Sequence, residues 1–146
     1  MASLYLDESL DASAFAVGST LSIEGDDARH AVQVARVKVG ERIAIGDGRG
    51  RIARGAVIEA SPRSVAIHID EIEDSPLPTP RIRLVQALAK GDRDELAVQA
   101  ATELGVAEVV PWAATRSISR WDGAKAQRGR ARWATIAREA AKQSIR

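Results

Sequence analysis

Arg116, Lys125, Arg128 and Arg132 are the side chains whose type and spacing speak first of chemistry. Lys125, Arg128 and Arg132 recur at intervals of three and four, so on a helix they share a face and could follow a line of phosphates. Arg116 lies in Thr115-Arg116-Ser117, a polar loop directly after an apolar run. In open α/β sheets the loops beyond strand C-termini build ligand sites. A plain surface arginine would read the same way. The charge around these residues is uneven: residues 116–146 carry 9 basic and 2 acidic side chains, a net of +7, whereas residues 1–74 carry 8 and 13, a net of −5. Within the latter, residues 29–63 hold 8 basic against 3 acidic. Two basic segments on a chain of net charge +1 point to a polyanion, RNA or DNA. Solvated helix faces have the same composition. Trp112 and Trp121 could stack on bases but read as cover, and Trp133 reads as core.

These side chains need elements to position them. Lys90 to Pro111 reads as a capped helix followed by a buried strand. Asp92 is placed to accept from the orphan amides of the first turn, and Glu95 to complete a capping box. Leu96, Ala97, Ala100, Ala101 and Leu104 recur at helical spacing as an apolar stripe. Gly105 stands where a helix takes a left-handed C-terminal residue, and 106–110 follows as a strand. With a preceding strand over 82–88, the stretch predicts a β-α-β unit, the seed of a parallel sheet covered by helices. A long helix is expected from Asp122 onward, with Trp133, Ile136, Ala137 and Ala140 at core spacing and Gly129 as a weak point.

The N-terminal half reads differently. Short strands are expected at 3–6 (an edge strand), 20–23, 42–45, 51–59 and 64–69, with the glycine-rich turn 46–50 between the third and fourth. Asp26 or Asp27 is expected to cap a short helix running to about Ala35, with Ala31, Val32 and Val34 as its apolar contacts. That pattern predicts a small barrel. Three prolines in Asp74-Ser75-Pro76-Leu77-Pro78-Thr79-Pro80 predict a stiff spacer. The expected organisation is a β-rich domain over 1–73, a linker over 74–80 and an α/β segment over 81–146.

Composition narrows the classes. The chain has 146 residues, 45% apolar but only 3% aromatic, so its core must be built from Val, Ile, Leu and Ala. The absence of Cys removes disulfides, thiolate metal ligands and a cysteine nucleophile, and suits a reducing cytoplasm. No apolar run approaches the ~20 residues of a membrane span. No glycine-rich phosphate loop opens either helix of the α/β segment.

The stretch KGDRDELAVQAATELGVAEVVPWAATRS followed by RWATIAREAAKQSIR resembles the RsmE family of ribosomal RNA methyltransferases, of the SPOUT class. Lys90-Gly91, Glu103-Leu104-Gly105, Pro111, Arg116-Ser117, Glu139-Ala140, Gln143 and Arg146 fit the family's pattern. Upstream, His30 to Gly40 is similar to a stretch of the family's PUA-like barrel. Ala35, Ala100 and Lys142 depart from the residues usual at those places. The family's Gly-Pro-Glu-Gly-Gly loop and its later Leu-Arg-x-Glu-Thr-Ala stretch are absent, so the sequence resembles an N-terminal portion.

The resemblance implies a PUA-like β-barrel followed by the first part of an α/β trefoil-knot methyltransferase domain. It implies methylation of N3 of a uridine in small-subunit (16S) ribosomal RNA, with S-adenosyl-L-methionine as cofactor. The cofactor residues are then expected in the absent C-terminal part, leaving this chain inactive alone. It implies a homodimer, no metal and no membrane partner. Arg116 or Arg146 could stabilise the anion that develops on the base, and Glu103 could orient an arginine or accept a proton, or be a surface residue. Gln143 could hydrogen-bond the base or serve the structure, and His30 could contact phosphate or be structural. Arg29, Arg36, Lys38, Arg49 and Arg51 are better candidates for backbone contacts. The alternative is a non-catalytic RNA-binding or ribosome-assembly module.

Overall fold

Alternation of apolar and polar residues builds the first half of the protein. The computed structural model describes residues 3–76 and 78–144. In it, strand β2 (Thr20–Glu24) buries Leu21 and Ile23 and exposes the three residues around them. With β1 (Leu4–Leu6), β3 (Arg42–Gly46), β4 (Arg51–Ala60) and β5 (Ser64–Asp74) it forms a five-stranded sheet in the order β1-β3-β4-β5-β2. The β1–β3 pair is parallel and the others are antiparallel. β1 is an edge strand, as expected.

The sheet curls into a half-barrel around Tyr5, Phe15, Ile23, Ile45, Ile67 and Ile69. Register shifts at Arg54/Gly55 and Val57/Glu59 bend the β4–β5 pair. At the first of these, a Cβ on Gly55 would lie 1.9 Å from the His68 carbonyl oxygen, so the close approach requires glycine.

Two expectations change here. β5 continues to Asp74, past the predicted end at 69 and into the start of the stretch read as a linker. The extra residues are fastened by ion pairs to β4 and, across it, to β3: Arg42 of β3 with Asp70, and from β4 Arg54 with Glu73 at 3.0 Å and Arg51 with Asp74 at 2.6 Å. The short helix α1 (Gly25–Arg29) has Glu24 at its N-cap position without a side-chain bond, so neither Asp26 nor Asp27 caps it. Both lie in the first turn, where their charge complements the helix dipole. α1 continues as a wide π turn over His30–Val34, closed by the Ala35 amide donating to the His30 carbonyl at 3.0 Å. Ala28 and Ala31 face the core, but the wider winding turns Val34 outward, 66% exposed.

The chain divides into two compact units, Met1–Pro76 and Leu77–Arg146. In the second, β6 (Arg83–Ala87) and β7 (Glu108–Trp112) run parallel, joined by helix α2 (Arg93–Glu103). This is the predicted β-α-β unit. Gly105 has φ +89° and donates to Thr102 at 2.9 Å, while Val106 donates to Ala101 at 3.0 Å. The paired bonds close the helix as the glycine suggested.

The start and face of α2 differ from the reading. Asp92 occupies the N-cap position without a side-chain bond. The capping work falls to Asp94, which is buried and accepts from the amides of Ala89 at 3.1 Å and Glu95 at 2.8 Å. Glu95 turns away to Arg132 and completes no capping box. The helix carries two apolar rows, and the buried one holds Val98, which meets Leu88 and Trp133. Leu96 and Leu104, in the other row, are 58% and 85% exposed.

Helix α3 (Ala124–Ser144) buries Trp133 and Ala140, with Ile136 and Ala137 packed beside them, as their spacing predicted. Trp121 meets Trp133 edge-to-face at 5.1 Å. Trp112 is 54% exposed. Gly129, read as a weak point, has a packing role: a Cβ there would lie 2.4 Å from the Trp121 ring. Glycine to alanine in a helix normally stabilises by about 1 kcal/mol. Gly129→Ala is expected to reverse that sign and lower the urea midpoint of unfolding. A raised midpoint would show that Trp121 is not held against the helix.

Candidate functional site

Parallel strands send both of their following loops to the same end of a sheet, and the structure joins those loops there. The Ser117 hydroxyl donates to the Leu88 carbonyl at 2.7 Å, and the Ser119 hydroxyl donates to the Ala89 carbonyl at 2.7 Å. The Ala89 amide donates in turn to Asp94. The loop after β7 is thereby stitched to the loop after β6 and to the first turn of α2. Arg116 stands exposed on that stitched loop, at the strand C-termini where the sequence placed it. Sequence reasoning missed the two serines and Asp94. The signal was available in Arg116-Ser117-Ile118-Ser119-Arg120, where small hydroxyl residues alternate with outward-going ones.

The remaining catalytic candidates do not gather around Arg116. Glu103 sits at the far end of α2, exposed, with its carboxylate accepting from Gln99 at 3.0 Å. The eleven residues of α2 put about 16 Å between the two ends of the helix. The chain leaving α2 is bound at the N-terminal edge of the sheet, where the Ala107 amide donates to Ile82 at 2.9 Å. Gln143 is exposed in the last turn of α3, and Arg146 lies outside the described residues. Lys125 and Arg128 are exposed on α3, while Arg132 is engaged in a two-toothed pair with Glu95, at 2.9 and 3.2 Å. The Arg132 guanidinium holds the Glu95 carboxyl below its usual range, chiefly through these hydrogen bonds.

In the first unit the six RNA-contact candidates separate into two groups. Arg29, His30, Arg36 and Lys38 are exposed along one segment, from the end of α1 through the π turn. Arg29 approaches Asp26 at 3.5 Å, a fully exposed pair of little strength. Arg36 has φ +56°, the left-handed region that non-glycine residues rarely occupy. Arg49 and Arg51 instead serve the fold. Arg49 donates to the carbonyls of Glu8 and Leu10 at 2.9 and 3.0 Å, and Arg51 pairs with Asp74 and lies 5.9 Å from the Phe15 ring centre. Both line an open cavity of about 590 Å³ shared with Glu8, Asp11, Asp47 and Asp74, whose acidic charge disfavours phosphate. Among the described residues, no group of three or more acidic or His side chains is placed to hold a metal ion.

Comparison with known proteins matches both units in order. A family profile described as an RNA methyltransferase PUA domain matches residues 23–70, and one described as an RNA methyltransferase domain matches residues 75–146. The chain is 38% identical over 129 residues to ribosomal RNA small subunit methyltransferase E of Mycobacterium tuberculosis, covering 88% of this chain and 49% of the relative. The protein of the same name from Bacillus subtilis is 36% identical, covering 87% and 50%. The chain thus spans about half the length of the curated relatives it matches. The crystal structure of ribosomal RNA small subunit methyltransferase E from Neisseria gonorrhoeae bound to S-adenosyl methionine superposes with a TM-score of 0.84 at 28% identity, over 100% of this chain and 59% of that one.

The Glu95–Arg132 pair gives a pH prediction of fixed sign. A carboxyl whose folded pKa is depressed contributes stability above its unfolded value, near 4.5, and loses that contribution as pH falls through the folded pKa. The stability difference between the unaltered chain and Glu95→Gln is expected to be present at pH 7 and to vanish on acidification through and below pH 4.5. Urea unfolding followed at both pH values tests it, and a pH-independent difference would rule out the ion pair as its source.

Proposed function

The chain belongs to the RNA methyltransferase family that includes ribosomal RNA small subunit methyltransferase E, and we propose that it contributes to methylating N3 of a uridine in small-subunit (16S) ribosomal RNA. The observation that carries this reading is the ordered pair of matches, a PUA domain over 23–70 and an RNA methyltransferase domain over 75–146, on a half-barrel followed by a β-α-β-α unit. The half-barrel is the RNA-docking half, through Arg29, His30, Arg36 and Lys38. The second unit is the first part of the catalytic domain, and the working assembly is a homodimer.

S-adenosylmethionine supplies an electrophilic methyl group when bound. At the end of β6 the Leu88 and Ala89 carbonyls and the Ala89 amide are already bonded to Ser117, Ser119 and Asp94, so these three groups are not free to hold it. On this reading its pocket lies chiefly on residues beyond those described, and this chain alone is inactive. What the chain itself offers is charge. Uridine N3 carries a proton and becomes a nucleophile as that proton passes to solvent, which leaves negative charge spread over N3, O2 and O4. Arg116, exposed on a loop fastened at two points, is the cation placed to receive that charge. Glu103, at the opposite end of α2, takes no part in the same centre.

Methyl transfer from labelled S-adenosylmethionine to small-subunit rRNA, by the protein that carries this chain, tests the reading. The product is expected to be N3-methyluridine, and Arg116→Ala to lower kcat about 10²–10³-fold. A different modified nucleoside, or unlabelled RNA, would overturn it. Calorimetric titration of the 146-residue chain with S-adenosylmethionine is expected to show no saturable heat. Saturable binding would move the pocket onto the residues described.

A further inference from the structure

We infer that the segment Arg116–Arg120 and the first half of α3 form a second surface for the RNA phosphate backbone, separate from the half-barrel. The inference rests on the reading of this chain as part of an rRNA methyltransferase and specifies where its second unit holds the strand.

Three observations carry it. First, residues 116–120 alternate as a strand does: Ser117 and Ser119 turn inward to bond the Leu88 and Ala89 carbonyls, while Arg116, Ile118 and Arg120 turn outward. Ile118 is 88% exposed, so two guanidinium groups flank a bare apolar side chain on a fixed scaffold. That is the pattern of a nucleic-acid surface, with Arg120 for a phosphate beside Arg116 at the base, and an apolar contact for a sugar or base.

Second, Lys125 and Arg128 continue the charge along one face of α3, both exposed and, among the described residues, without ion pairs or side-chain hydrogen bonds. The first turn of α3 contains no acidic residue. A cation there opposes the helix dipole, so its placement is not explained by helix stability. Third, two of the four acids at this end are engaged, Asp94 with two amides and Glu95 with Arg132, and only Asp92 and Asp122 stand exposed against Arg116, Arg120, Lys125 and Arg128. The surface therefore stays positive, and it selects a polyanion by charge complementarity. Arg120, which reaches the Thr115 carbonyl at 3.4 Å, keeps its remaining donors for a ligand.

The test is binding of a fluorescent small-subunit rRNA fragment to the whole chain over a range of salt. Each lost single-strand phosphate contact lowers the slope of log K against log salt by about 0.7. Arg120→Gln with Lys125→Gln and Arg128→Gln is expected to reduce that slope by about 2 and to weaken binding more than tenfold at low salt. All three positions are exposed, so folding is not at issue. Ser119→Ala removes no charge but unfastens the segment, and is expected to weaken binding several-fold with the slope unchanged. If the triple variant binds like the unaltered chain while Arg36→Gln with Lys38→Gln weakens binding, the second surface is wrong and the half-barrel reading survives. If the unaltered chain binds no RNA, both fall.

Discussion

A parallel pair of strands cannot be closed by a tight turn, and most of the second unit follows from that. α2 must carry the chain from the C-terminal end of β6 back to the N-terminal end of β7. The loops after both strands then leave from one end of the sheet and become neighbours. Their backbone groups need partners, and Ser117, Ser119 and Asp94 supply them at 2.7 to 3.1 Å. The same bonds that satisfy the strand ends fix the direction of Arg116 and Arg120. Behind them the core is small, with Leu88, Val98 and Trp133 as its buried members and Trp121 closing over Gly129.

The first unit meets a different constraint. Its sheet has two open edges and a long β4–β5 ribbon that must curl. Gly55 permits the curl by letting the His68 carbonyl approach where any side chain would collide. Beyond the curl, β5 is held by arginines on β3 and β4 reaching its acidic end. Each pair is exposed and individually weak, but together they line up along adjacent strands and extend the ladder to Asp74. Three of the eight cations of residues 29–63, Arg42, Arg51 and Arg54, are thus answered by acids at 70–74. Arg36 and Lys38 have no such pair among the described residues.

That difference marks how far the sequence could be read. Local signals were legible: Gly105 ending α2 in a left-handed turn, the β-α-β order, the core spacing of Trp133, Ile136, Ala137 and Ala140. Signals that depend on a distant partner were not. Asp92 and Asp94 are equivalent in a capping pattern, and only the Ala89 amide, brought in by β6, selects Asp94. Leu96 and Val98 belong to rows of equal helical spacing, and only Leu88 and Trp133 decide which row is covered. Arg51 looks like a phosphate ligand until Asp74, twenty-three residues away, closes on it. Periodicity finds the faces of an element, and tertiary contacts choose among them.

The same reasoning separates cations that belong to the fold from those that belong to function. An arginine in the folded chain gains by pairing, since its guanidinium offers five donors and a carboxylate can accept two at once. Arg42, Arg51, Arg54, Arg83 and Arg132 all find such partners within the chain. Among the described residues Arg116, Lys125 and Arg128 do not, and Arg116 stands on the loop that is fastened to the end of β6. Solvation alone permits unpaired cations anywhere on the surface, and Arg63 and Arg81 are such cations. What sets Arg116 apart is its place beside Ser117 and Ser119, which order the loop without neutralising it. A rigid, uncompensated positive surface is costly to the isolated chain through mutual repulsion, and that cost is relieved only when an anion arrives. On the proposed reading, the geometry of the parallel pair determines where a phosphate is met.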